Sequence, residues 1–185
     1  MPNWCENRVR VYGEEADVSA FKELVSNLDV QNADQRLFDF NKVLPMPKEV
    51  EDTVVPDANP DQQLIEKYGY DNWYDWCIAI WGTKWSASEV EVVCDEGDMV
   101  EYNLSSAWGP PVGVYLAIVN RFRRLDVEWF YDEPYDRVAG YLTVEEARLT
   151  NFATEEFTKL MSAWMADEAS TVDLIGQPEA TDVDI

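Results

Sequence analysis

The chain has 185 residues, 21.3 kDa and 46% hydrophobic content. That is enough for one domain with an appendage, burying about 70% of its unfolded surface. Thirty-seven Asp and Glu against fourteen Lys and Arg leave a net charge of −23, and there is no histidine, which argues against nucleic-acid binding through phosphate contacts and excludes Ser–His and Cys–His nucleophiles.

Residues 7–13, NRVRVYG, alternate Val9 and Val11 with Arg8, Arg10 and Tyr12, the pattern of a strand ending at Gly13. Residues 14–28 place Val18, Phe21, Leu24, Val25 and Leu28 at helical spacing, with Glu14, Glu15 and Asp17 at the positive dipole end. RLFDFNKVLPMP (36–47) reads as a strand stopped by Pro45 and Pro47. Residues 48–71 read as a long acidic excursion with one helical turn near 61–69. NWYDWCIAIWGTKW (72–85) sets Trp73, Trp76, Cys77, Ile80 and Trp81 on one helical stripe that Gly82 ends. Residues 88–108 form a predicted hairpin: Glu89 and Glu91 alternate with Val90 and Val92, DEGD turns the chain, and Tyr102 and Leu104 return.

Residues 109–125 open on prolines suited to a helix start. They carry Val112, Tyr115, Leu116, Val119 and Phe122 inward and close on Arg121, Arg123 and Arg124. Residues 126–134 read as a strand with Val127, Trp129 and Tyr131 on one face, and 139–149 as its partner. An amphipathic helix is predicted at 154–169, through Phe157, Leu160, Met161, Trp164 and Met165. The order β-α-β-(α)-β-β-α-β-β-α predicts an α+β domain over 1–149, with an antiparallel or mixed sheet and helices on one face. A C-terminal helix (150–169) and a flexible acidic tail (170–185) extend it.

Three cysteines, Cys5, Cys77 and Cys94, are odd in number and widely spaced. They predict reduced, mostly buried thiols and no cofactor of iron–sulfur or zinc type. No apolar run approaches the ~18 residues of a membrane span, and MPNWCENRVRV lacks the flanks of a signal peptide. The expected compartment is the cytoplasm.

MPNWCENRVRVYG, FDFNKVLPMP, WYDW…WGTKW and SSAWGPP occur in this order and resemble the YubB-type ferredoxin-like domain family of plasmid and bacteriophage proteins, over roughly residues 1–142. The resemblance implies a ferredoxin-like α+β fold, a topology without an iron–sulfur cluster. It brings no catalytic residues with it.

The tryptophans read foremost as core, with partner contact and ligand stacking as the other uses; Trp85, beyond the glycine, is expected to be partly exposed. The RFRR run at 121–124 reads as neutralising a helix end. Asp132, Glu133 and Asp136 lack the spacing of a calcium loop. Glu128 with Asp132, or Glu89 with Glu91, are the carboxylate pairs an enzyme would use, and on strands such pairs are usually only solvated.

The dispersed acids are the stronger candidate. Glu89, Glu91, Glu101, Glu128 and Asp132 fall on the polar side of predicted strands, and Glu145, Glu146, Glu155, Glu156, Asp167 and Glu168 extend them. On neighbouring strands, carboxylates lie ~5–7 Å apart, the scale of phosphate spacing along a nucleic-acid strand. The expected function is therefore a non-enzymatic counter-defence protein of a mobile element. Its acidic ledge would occupy the nucleic-acid site of a basic host protein, with no direct nucleic-acid or membrane contact. The alternatives are an acidic accessory domain adapted to salt, and a small-ligand binder or carboxylate enzyme using the tryptophan-rich cleft.

Overall fold

The Val9–Val11 alternation produces β1 (Trp4–Tyr12), which lies inside a six-stranded sheet. Its companions are β2 (Ser88–Asp95), β3 (Met99–Ala107), β4 (Asp126–Glu133), β5 (Val138–Leu142) and β6 (Leu149–Asn151). The spatial order is β2-β3-β1-β4-β5-β6, antiparallel throughout. The computed structural model describes residues 2–28, 37–55, 60–135, 138–142 and 149–151. Among the described residues no helix is long and apolar enough to cross a membrane.

Register assigns the two faces. Val9 stands opposite Tyr102 and Trp129, and Val11 opposite Val100 and Val127, so these residues form the inner face. Two helices cover it, α1 (Glu15–Val25) and α6 (Val112–Arg121). Phe21 meets Tyr102 at 6.3 Å between ring centroids, and Tyr115 meets Trp129 at 6.2 Å, both edge to face. Each such ring adds about 1.5–3 kcal/mol by leaving water.

Several expectations are corrected. Residues 36–47 contain no strand among the described residues. Phe40–Val43 form a single helical turn, α2, because the Asp39 side chain accepts from Asn41 N and caps it. The side-chain Oδ1 of Asn41 accepts from Met46 N at 2.7 Å and bends the chain toward the prolines. The 48–71 excursion holds two helices, α3 (Lys48–Glu51) and α4 (Gln62–Tyr68), the second capped by Asp61 and ended at Gly69. α6 buries Val114, Tyr115 and Ile118 fully, while Val112, Leu116, Val119 and Phe122 are half-buried. This helix packs on the sheet, on α2 and on α5 (Trp73–Ile80), so its apolar stripe is broader than one face predicts. The region read as one strand at 139–149 is β5, with β6 hydrogen-bonded beside it. The predicted helix at 154–169 and the tail at 170–185 lie outside the described residues.

Candidate functional site

The tryptophan segment turns Trp76, Cys77, Trp81 and Thr83 into the interior and leaves Trp73 half-buried. The Asn72 side chain accepts from Asp75 N and starts α5. Trp76 and Trp81 are buried edge to face at 5.4 Å, and Trp81 Nε1 donates to Leu44 O at 2.9 Å. Trp81 caps the helix and Gly82 follows in the left-handed region at φ 87°. The Thr83 hydroxyl then donates to Ala107 O at 2.8 Å and accepts from Ala107 N at 3.0 Å, clasping the end of β3. Ser86 Oγ accepts from Phe40 N and donates to Asp39 Oδ1. Trp108 N donates to Asn3 O at 2.9 Å. Gly113 N donates to Trp81 O, and a Cβ on Gly113 would stand 1.8 Å from Ile80 O. The stretches NWCEN, FDFN, WGTKW and SSAWGPP are thus joints that fasten to one another. Three indoles escape this role: Trp4, Trp85 and Trp108 are 40%, 37% and 50% exposed.

Beside these joints lies a cleft of about 390 Å³ lined by Asp39, Asn41, Trp73, Trp81, Lys84 and Trp85. The Lys84 ammonium sits 4.4 Å from the Trp85 ring centroid, over its face.

The outer face of the sheet departs from the expected bare acidic ledge. Arg8 and Arg10 of β1 stand in its middle. Glu101 is buried, with Arg10 Nη2 donating to its Oε2 at 3.0 Å and Arg8 Nε 3.6 Å from its Oε1. Glu128 lies directly across from Arg10 in the β1–β4 register. Glu101 is therefore not part of an exposed ledge, and Glu128 faces a cation, because cross-strand pairing puts β1 arginines between the two acids. The β4–β5 side of this face is apolar: Phe130 and Tyr141 pack at 6.1 Å between centroids, 1% and 8% exposed.

Negative charge concentrates elsewhere on the same face. Glu6 stands opposite Asp132 in register. Together with Glu89 they line an open cleft of about 400 Å³, with Arg8, Asn103 and Phe130 completing its wall. Burial raises the Asp132 carboxyl above its ordinary range, and the neighbouring charges of Glu6 and Glu133 add to the shift. Ser105 Oγ donates to Glu89 Oε2 at 3.4 Å. The expected residues Glu89 and Asp132 are thus brought together, while Glu91 is exposed farther along β2. Glu6 was not among the expected residues; its place in the β1 alternation, on the side of Arg8, was the available signal. Glu145, Glu146, Glu155 and Glu156 lie outside the described residues, as do Asp167 and Glu168.

In the RFRR run Arg124 pairs with an acid of another element: its Nη2 donates to Asp17 Oδ1, in the first turn of α1, at 2.7 Å. Cys5 and Cys77 are buried thiols that burial pushes up to about 12, values at which neither is a nucleophile near neutrality.

No family model and no curated protein matches the chain. Among solved structures, the crystal structure of a protein api92 from Yersinia pseudotuberculosis, described under the family model DUF1281, superposes with a TM-score of 0.55 at 10% identity. The match covers 82% of this chain and 97% of that one. At that identity the likeness is one of fold: this chain is similar to that protein in the arrangement of its α+β elements.

Proposed function

We propose that this chain is an acidic binding protein of a plasmid or bacteriophage that occupies a basic, nucleic-acid-binding surface of a host protein, and that it works in the host cytoplasm as a counter-defence inhibitor. The strand order supports a ferredoxin-like split βαβ arrangement for the first four strands, since β3 lies between β1 and β2 and β4 flanks β1. The YubB-type resemblance points the same way. The observation that carries the functional reading is the convergence of Glu6, Glu89 and Asp132 on one open cleft, on the face opposite α1 and α6. Three carboxylates against the one guanidinium of Arg8 leave the cleft wall net negative, which favours a cationic partner, and the net charge of −23 steers the encounter. The reaction classes that need histidine are closed to it.

The test is capture of a basic partner from host lysate with duplex DNA as competitor. The expected result is a stoichiometric complex that DNA displaces and that weakens steeply with salt. A complex that DNA leaves intact defeats the reading.

A second reading rests on the tryptophan-lined cleft. Its volume of about 390 Å³ falls within the size range of small-molecule pockets, and three indoles with Lys84 and Asp39 offer stacking and polar contacts. Quenching of tryptophan fluorescence by a nucleotide or sugar, lost in Trp85→Ala, would support it.

A further inference from the structure

We infer that the outer edge of β2 and the cleft at its start form a docking site for an extended, arginine-bearing segment of a partner protein, which adds to the sheet as a further strand. This rests on the acidic-binding reading above and names the structural mode by which such a partner is held.

Among the described residues β2 ends the sheet and pairs on one side only, with β3. Its outer backbone groups form a template for strand addition. The edge is also apolar, with Val92 and Val93 exposed. Two register shifts, between Ser88 and Glu91 and between Val92 and Cys94, twist it. Bulges and acids on an edge guard against pairing with an identical edge, since like charges would meet; they do not guard against a basic strand.

The start of β2 runs into a cleft of about 590 Å³ lined by Trp4, Leu37, Trp85, Ala87, Glu89 and Val90. The Trp4 and Trp85 rings lie 6.2 Å apart, tilted and part-exposed. Lys84 already stacks on Trp85, so an indole face here accepts a cation. A guanidinium fits this position better than an ammonium, because it is planar, weakly hydrated and stacks on aromatic faces. Glu89 lies on the wall of this cleft and of the Glu6–Asp132 cleft, linking the two.

Backbone strain marks the same place. Among the described residues the non-glycine positions with positive φ are Glu89 (50°) and Trp108 (74°). One lines the cleft, and the other is tied by its N–H to Asn3, beside Trp4. Such strain costs about 1–3 kcal/mol and clusters at ligand clamps.

The test uses the full chain at low salt with two probes: a short peptide alternating arginine and valine, and the same peptide with every backbone nitrogen methylated. Both carry the same charge, but only the first can pair as a strand. The expected result is slowed hydrogen exchange of the 89–95 amides with the first peptide, and binding about tenfold weaker for the methylated one. Trp85→Ala should weaken the first peptide while the circular dichroism spectrum stays unchanged. Equal affinity of the two peptides without β2 protection overturns the docking mode and leaves the acidic-binding reading standing. No binding of either peptide overturns the docking mode too. The acidic-binding reading fails on a separate arm, if Glu6→Lys with Asp132→Lys leaves affinity for both peptides unchanged.

Discussion

The two faces of the sheet are built on opposite plans. The inner face is mostly apolar, and among the described residues it holds a polar hub at Asn7 besides the buried carboxyl of Glu133. Asn7 Nδ2 donates to Ser106 Oγ at 2.8 Å and Cys5 O at 2.9 Å, and its Oδ1 accepts from Trp129 Nε1 at 3.0 Å. The outer face holds Arg8, Arg10, Glu101, Glu128, Glu6 and Asp132, with Phe130 and Tyr141 on its β4–β5 side. The sequence motifs fall on the inner face and its joints, whereas the acids are spread over both sides: Glu14, Glu15 and Glu23 at α1, Glu49 and Glu51 on α3 and Glu66 on α4 are as exposed as Glu89 and Glu91 on β2. Distinctive motifs in this chain therefore report how it folds. The residues of the proposed binding cleft form no motif.

Substitutions can break that contrast, from the largest effect to the smallest. Gly113→Ala puts a methyl into the Ile80 carbonyl. It should cost about 3 kcal/mol or more, at the upper end of overpacking, measured by denaturant unfolding. Retained stability would mean that the α5–α6 crossing is not a fixed joint. Asn7→Ala leaves the Trp129 indole N–H without its buried acceptor and should cost roughly 1–3 kcal/mol. On the outer face, Glu101→Gln removes the charge that Arg8 and Arg10 share. It should cost about 1.5–3 kcal/mol, the range for hydrogen bonds to charged groups, with little dependence on salt because Glu101 and Arg10 are both largely buried. A cost that vanishes at high salt would show the pair to be solvated.

Asp132→Asn should run the other way. The folded chain raises the Asp132 pKa through burial first, then through Glu6 and Glu133. Its folded state thus holds the proton more tightly than the unfolded one. The associated stability is present below the ordinary value of 3.8 and is lost as pH rises through the folded value. The variant should therefore melt slightly higher than wild type at pH 7, and the gap should close as pH falls through the raised folded value to 3.8. A gap that widens on acidification would contradict the repulsion between Glu6 and Asp132.

How far the sequence was readable follows from which interactions are local. Val9 and Val11, the β2–β3 hairpin and the Trp73–Trp81 stripe all announce themselves through periodicity and appear in the fold, as does the helix read over 14–28, which however ends at Val25 and leaves Leu28 exposed. Residues 36–47 misled because Asp39 and Asn41 bond to nearby backbone and turn the chain where hydrophobicity suggests a strand. The site was only half legible. Alternation put Glu101 and Glu128 on the polar side correctly, but register decides that Arg10 lies between them, and register is a long-range property. Glu6 was overlooked for the same reason: only pairing with β4 brings it opposite Asp132.

The most direct test compares two triple reversals with equal change in net charge. Glu6→Lys, Glu89→Lys and Asp132→Lys alter the outer-face cleft, whereas Glu23→Lys, Glu66→Lys and Asp98→Lys alter exposed positions on α1, α4 and the hairpin turn. With folding checked for both, affinity for the captured basic partner should collapse in the first variant and fall only modestly in the second. Equal loss in both would show that overall charge does the binding and that the cleft has no special part in it.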